Sequence, residues 1–235
     1  MPLADPAIIQ NSDRLAVLHR LELLDSPTEA AFDRLTSLAS KIVKAPVSLV
    51  SLVDADRQFF KSFVGLAEPW ASKRETPISH AFCQHVVAQN EPLIVNDARK
   101  HPLVYDNLGI TELDIVGYLG MPLTLHDGTG LGSFCVIDHK PRTWTPEEIE
   151  IMRELAVSVM TEIELRAELL ARREAEEKLQ MAYIHLEERN QKLDRVTEFC
   201  RSTIDQMFSA IQLGAAKDEM VAYLTSAQHE LDRQV

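Results

Sequence analysis

Cysteine is scarce in this chain, with three among 235 residues: Cys83, Cys135 and Cys200. The number is odd, the spacing is wide and no Cys-x-x-Cys occurs, so neither a disulfide framework nor a structural zinc site is indicated. A reducing, cytoplasmic setting is expected. Basic charge is short as well: 24 Lys and Arg stand against 36 Asp and Glu, a formal net charge of -12. That balance opposes non-specific attraction to nucleic acid or anionic lipid, both of which need a basic face. No segment reaches the roughly eighteen uninterrupted apolar residues of a membrane span. The Met1-Pro-Leu-Ala-Asp5 start lacks the basic stretch and apolar run of a secretory signal. Glycine and proline, at 8 and 11, are too few for a fibrous or low-complexity chain. What is there, 46% hydrophobic and 26% charged residues, suits one ordinary globular core with something added.

Leu15, Leu18, Leu21 and Leu24 recur every three residues from Ser12 on, which predicts an amphipathic helix ending at Asp25-Ser26-Pro27. A second helix is predicted from there, with Ser26 as cap, Pro27 in the first turn, Glu29 completing a capping box, and Phe32, Leu35, Leu38, Ile42 and Val43 on its apolar face. Val47–Val53 and Gln58–Val64 read as antiparallel strands across an Asp54-Ala-Asp56 turn. Residues 68–78 read as a loop, followed by a short helix over 80–87 capped by Ser79 and a strand over 92–95. The polar segment Asp97–Leu108 is a candidate ligand lid. Gly117–Leu125 and Leu131–Ile137 form a hairpin across His126–Gly130. About five strands flanked by helices imply an α+β domain with an antiparallel sheet.

Thr145 opens the next helix with a full set of signals: Thr145 as cap, Pro146 at the first position and Glu148 closing the box. No further glycine or proline interrupts until Gly214, so the helix would run about 100 Å. In heptads, Leu165, Arg172, Leu179, Leu186, Leu193 and Cys200 fall on one core position and Leu169, Glu176, Tyr183, Asn190 and Thr197 on the other. Arg172 and Glu176 interrupt this seam. The expected dimer contacts are Leu165, Leu169, Leu179, Tyr183, Leu186, Asn190 and Leu193, with Asn190 of the type that favours a parallel two-stranded register. The expected organisation is a domain over 1–144 (helices 12–44, sheet 45–144), a long helix over 145–213 and a terminal helix over 214–235.

The blocks Leu24-Asp-Ser-Pro27, Phe32-Asp-Arg-Leu35, Ala45-Pro-Val-Ser-Leu-Val-Ser-Leu-Val-Asp-Ala-Asp-Arg-Gln58 and Leu131-Gly-Ser-Phe-Cys-Val-Ile-Asp138 resemble bacterial GAF sensor domains over about residues 12–170. The resemblance implies a central antiparallel sheet with helices on one side and, on the other, a pocket for a cyclic nucleotide, tetrapyrrole, haem or other small molecule. It leaves the ligand and any cofactor unknown. It also implies a downstream output, a diguanylate cyclase, histidine kinase or phosphatase joined through a helix. No such output enzyme is recognisable in the C-terminal third, which lacks a Gly-rich phosphate loop. His229-Glu-Leu-Asp232 is not followed by the Arg-Thr-Pro element of a phosphoacceptor helix.

The candidate ligand residues are Cys83, His85, Asp97, Arg99, His101 and Tyr105. His80 and Cys83 are expected to share a helix face. Tetrapyrrole-binding relatives attach through a cysteine followed directly by histidine, whereas Gln84 intervenes here and His85 comes one place late. Free methionine sulfoxide reductases of this fold use paired cysteines, but Cys135 is expected inside a strand and Cys200 on the stalk, so no partner for Cys83 is evident. Both Cys83 and Cys135 are then expected as small apolar core residues. His85 is a conceivable haem ligand. No catalytic set and no metal site is expected. The leading expectation is a homodimeric sensor that passes ligand occupancy through its stalk to an output domain or partner. The alternatives are an empty fold used as a dimerisation and docking scaffold, and a redox sensor centred on Cys83.

Overall fold

A computed structural model of the chain describes residues 4–234, with side chains to Leu231. The outer limits of the expected first and last segments, at 1 and 235, and the side chain of Asp232 lie outside the described residues. Two compact units are present, residues 1–170 and 171–235.

The first unit is built on a six-stranded antiparallel sheet: β1 Val47–Val53, β2 Arg57–Val64, β3 Glu75–Pro77, β4 Leu93–Val95, β5 Gly117–Thr124 and β6 Gly130–Asp138, in the order β3-β2-β1-β6-β5-β4. Its helices are α1 Pro6–Ile9, α2 Ser12–Arg20, α3 Ala30–Val43, α4 Trp70–Lys73, α5 Cys83–Gln89, α6 Gly109–Glu112 and the start of α7 Pro146–Gln212. This is the expected α+β architecture with one strand more than the sequence indicates. That strand, β3, and α4 lie within 68–78, which the sequence reads as a loop. β3 is three residues long and ends in Pro77, and a strand of that kind is tolerated only at a sheet edge, which is where it lies.

Because alternate side chains of a strand point to opposite faces, the sheet carries two cores. On one face Val50, Leu52, Phe134, Val136 and Leu119 meet Phe32, Ala39 and Val43 of α3 and Met152, Ala156, Val159 and Ile163 of α7. On the other, Val47, Leu49, Val53, Phe60, Tyr118, Cys135 and Ile137 meet Phe82, Cys83, Val86 and Val87 at α5, together with Ala98, Val104 and Ile115. A bulge between Val50 and Ser51 leaves Lys61 of β2 out of register. Two consecutive polar residues, Lys61 and Ser62, thereby reach the α3 side.

That bulge explains a departure from the sequence reading. α3 starts at Ala30 and not at Pro27, and Ser26 and Glu29 form no capping box. Lys61, completely buried, donates to Ser26 Oγ at 2.6 Å, to the Pro27 carbonyl at 2.8 Å and to Glu29 Oε1 at 2.5 Å. Arg166 of α7 donates to the same Glu29 oxygen at 2.5 Å. A buried ammonium must find acceptors, and it takes the two groups that would otherwise cap the helix.

Ser79 likewise does not cap a helix. Its hydroxyl lies 3.1 Å from His80 Nδ1 within a 3-10 turn, Ile78–His80, and α5 begins only at Cys83. His80 and Cys83 therefore sit on separate elements and share no helix face. The box at Thr145 forms as read: Thr145 N–H donates to Glu148 Oε2 at 2.8 Å and Glu148 N–H to Thr145 Oγ1 at 3.2 Å.

The second unit contains the remainder of α7 and α8 Lys217–Gln234, separated by a turn with Gly214 at φ +79°. Leu179, Tyr183, Leu186 and Leu193 are exposed here, as are Leu165 and Leu169 in the first unit. Arg172 and Glu176, which interrupt the heptad seam, pair with each other at 2.9 Å. No helix among the described residues is long and apolar enough to cross a membrane.

Candidate functional site

The α5 face of the sheet is apolar except for one line of polar side chains that crosses it. Ser51 of β1 stands directly opposite Ser133 of β6, and Thr76 of β3 opposite Gln58 of β2. Ser51 donates to Gln58 Oε1 at 3.2 Å, and Gln58 Nε2 donates to Thr76 Oγ1 at 2.6 Å. On the other side of Ser133, its hydroxyl is 3.2 Å from the Tyr118 hydroxyl, which is 3.4 Å from Cys83 Sγ. All these side chains are buried, with Ser51 and Ser133 fully inaccessible. The line costs desolvation that a purely apolar face would avoid, and only mutual hydrogen bonding makes it tolerable.

Tyr118 reaches across because β5 has glycine two residues on. A Cβ placed on Gly120 would sit 2.3 Å from the Tyr118 hydroxyl, so the tyrosine occupies the space a side chain there would fill. Gly120 is in register with Cys135. The phenol consequently lies over the segment of β6 that carries both Ser133 and Cys135, with the Phe82 ring tilted against it at a centroid distance of 5.3 Å.

Cys83 and Cys135 lie in one buried cluster: the Tyr118 hydroxyl that meets Cys83 Sγ lies over Gly120, and Gly120 is in register with Cys135. Donors converging on Cys83, the Cys135 thiol foremost, bring its pKa down to about 7 against the opposing effect of burial. Burial drives Cys135 and Tyr118 well above their ordinary values, and the neighbouring Cys83 adds to both shifts. Cys83 is thus the more acidic thiol of a pair, where the sequence reading treats both cysteines as plain core residues.

The other residues singled out in the sequence divide into three groups. His85 is buried on α5 with its Nε2 unpartnered, and its pKa is lowered by burial first and by the nearby His101 second. His101, itself lowered by burial, accepts from the Leu103 N–H through Nδ1 at 3.4 Å. Asp97 and Arg99 pair with each other through two bonds of 2.8 and 2.9 Å at the surface, and Asp97 also caps the 3-10 turn Ala98–Lys100. Tyr105 is exposed and meets these groups only through its backbone, its N–H donating to the His101 carbonyl at 3.0 Å. Nor is the segment 97–108 an open lid: Ala98 and Val104 are fully buried, and Ala98 N–H bonds to Val116 at 2.8 Å.

A cavity of about 320 Å³ opens at one end of the same face. Val47 and Ile137 form its floor, and Gly65, Leu66, Trp70, Glu112, Leu113, Asp114 and His139 its walls. Trp70 Nε1 donates to the Glu112 carbonyl at 3.4 Å, and its ring tilts against His80 at 5.4 Å. His80 Nε2 lies 3.1 Å from the Glu112 carboxylate. The GAF family model matches residues 27–163, more than half of the chain.

This chain belongs to the GAF domain family. Its sequence is 32% identical over 152 residues to a cyclic di-GMP phosphodiesterase of Pseudomonas aeruginosa, an alignment that takes in 64% of this chain and 25% of that one. The chain therefore spans about a quarter of the length of that relative. Among solved structures it is similar to the GAF domain from an Acinetobacter phosphoenolpyruvate-protein phosphotransferase, with 17% identity, 67% of this chain and 97% of that chain covered, and a TM-score of 0.48. The GAF domain of a Coxiella burnetii phosphoenolpyruvate-protein phosphotransferase matches with 18% identity, 74% and 99% coverage, and a TM-score of 0.48.

Within the GAF domain, none of the six candidate ligand residues lines the cavity. Its aromatic wall, Trp70, sits in the segment read as a loop, and its acidic wall follows from α6. The one signal available in the sequence was a tryptophan beside Pro69 in an otherwise polar stretch. Among the described residues no group of three His, Cys, Asp or Glu side chains is arranged to hold a metal ion.

Proposed function

We propose that this GAF domain is a regulatory sensor whose activity is binding, not turnover. A small molecule enters the cavity bounded by Trp70, Glu112, Asp114 and His139, and occupancy changes how α7 is held. The observation that carries this reading is that one pair of strands serves both sites. Val47 and Ile137 floor the cavity, while Val50, Leu52, Phe134 and Val136 of the same β1 and β6 hold Met152, Val159 and Ile163 of α7 on the opposite face. A shift of these strands is felt on both sides, because a close-packed core transmits displacement. His85 and His101, close to each other and outside the cavity lining, are kept as further candidate contacts for a polar ligand.

In this reading α7 pairs with that of a second copy through Leu165, Leu169, Leu179, Tyr183, Leu186, Asn190 and Leu193, and passes the change to an output domain or partner protein in the cytoplasm. Exposure of the apolar members of that seam supports it. The Pseudomonas relative favours cyclic di-GMP turnover as the output so regulated. The close filling of the α5 face by Phe60, Phe82 and Tyr118 favours a second reading, a ligand-free dimerisation scaffold.

Native mass spectrometry of the chain purified from its own host separates the two. A dimer carrying an extra small mass that is lost on denaturation supports the sensor; a dimer of bare chains supports the scaffold; a monomer removes the pairing step from both.

A further inference from the structure

We propose that Cys83 and Cys135 form an intramolecular disulfide when the domain meets a peroxide, so that the α5 face of this GAF domain carries a thiol switch distinct from the cavity. Three observations converge. First, α5 packs directly on β6, and the two thiols, one opening the helix and the other mid-strand, lie in one buried cluster on either side of the Tyr118 hydroxyl, which meets Cys83 Sγ and lies over Gly120, the residue in register with Cys135. Second, both are free and buried, so neither is exposed to a partner chain's thiol. Third, the Tyr118 hydroxyl lies 3.4 Å from Cys83 Sγ and 3.2 Å from the Ser133 hydroxyl, so once Cys83 is a thiolate, which can only accept, the phenol is placed to donate to it.

The chemistry balances with hydrogen peroxide as the only oxidant. Cys83 thiolate attacks one peroxide oxygen and the O–O bond breaks. Hydroxide leaves and becomes water by taking up the proton that the Cys83 thiol gave up, and Cys83 becomes a sulfenic acid. The Cys135 sulfur then attacks the Cys83 sulfur, the S–O bond breaks, the hydroxyl departs as a second water and the S–S bond forms. Overall two thiols lose two hydrogens and one peroxide becomes two waters. Cys83, the thiol that the Tyr118 hydroxyl meets and the more acidic of the two, takes the attacking role. Peroxide is small enough to reach the site through local opening of α5, a short helix without a side-chain cap at its N-terminus. The product ties α5 to the central strand β6, which also packs against α7 on its other face.

The test uses the full chain in a Cys200→Ser background, leaving these two thiols. Reduced protein, denatured and alkylated, takes up two labels. After peroxide it is expected to take up none, to weigh two hydrogens less, to stay a single chain on non-reducing electrophoresis, and to yield one linked peptide pair containing Cys83 and Cys135. In a Cys135→Ser variant, dimedone is expected to trap a sulfenic acid on Cys83. Two labels after peroxide, or sulfinic acid on either sulfur without a linked peptide, overturns the proposal. The linked-peptide result stands without the Cys135 variant, should that variant fold poorly.

Discussion

Gly120 and Gly132 face obstacles of different kinds. At Gly120 an added Cβ meets the Tyr118 hydroxyl at 2.3 Å, the end of a side chain that can rotate; at Gly132 it meets the Ser51 carbonyl oxygen at 1.9 Å, which is backbone. Gly120→Ala is therefore expected to displace Tyr118 and cost about 1–3 kcal/mol, and Gly132→Ala to cost more, because the β1–β6 pairing itself must part. Urea unfolding of the two variants ranks them, and an equal cost would mean that Tyr118 cannot move. A second residue-scale expectation concerns Lys61. Burial would raise the pKa of Glu29, but Lys61 and then Arg166 outweigh it and hold it below 4.5. Asp54, with burial opposed by His19, the Ala55 N–H and Arg57, is held below 3.8. Groups lowered on folding contribute stability that is complete above their unfolded values and is lost as pH falls through the folded ones. The domain is thus expected to lose stability below about pH 4.5, and Lys61→Met to flatten that acid limb by releasing Glu29. Urea midpoints between neutral and acid pH measure it; an unchanged slope would remove Lys61 from the account.

Among the elements, α7 shows most directly how a local signal and tertiary packing divide the work. Its start is set by the reciprocal bonds between Thr145 and Glu148, and its first turns supply Met152, Ala156, Val159 and Ile163 to the core. Thr145→Ala is expected to lower the stability of the first unit by about 1 kcal/mol, read as a shifted midpoint with an unchanged denaturant slope. α3 is the contrast. It has a capping box in its sequence of the same quality, yet Ser26 and Glu29 are drawn to Lys61 instead. A local rule holds where no buried charge competes for the same side chains.

For the whole molecule, the exposed Leu179 and Leu186 are the positions at which self-association is tested most sharply. Both lie beyond the residues that pack on the sheet, so Leu179→Glu with Leu186→Glu is expected to halve the mass seen by light scattering while leaving the thermal transition of the first unit in place. Retention of the dimer mass would transfer the interface to another surface. The polar line across the α5 face carries a different consequence at this scale. It consists of two hydrogen-bonded groups, Ser51–Gln58–Thr76 and Ser133–Tyr118–Cys83, which meet where Ser51 stands opposite Ser133, so every strand except the short β4 contributes a side chain to it.

Residue order alone determined the class of fold, the four longer strands, the start of α7 and the exposed seam along it, because hydrophobic period, glycine turns and reciprocal caps are local quantities. It also marked Cys83 and His85 as residues to watch. It did not reveal β3, whose three residues carry no periodicity, nor that Ala98 and Val104 anchor the segment 97–108 to the core. Above all it left Cys83 without a partner, since Cys135 is 52 positions away in chain order. Only the tertiary structure decided that, by placing α5 across β6 and by leaving Gly120 bare so that Tyr118 could reach both. Contacts between distant residues depend on how faces are paired, and the pairing of faces is a property of the assembled sheet.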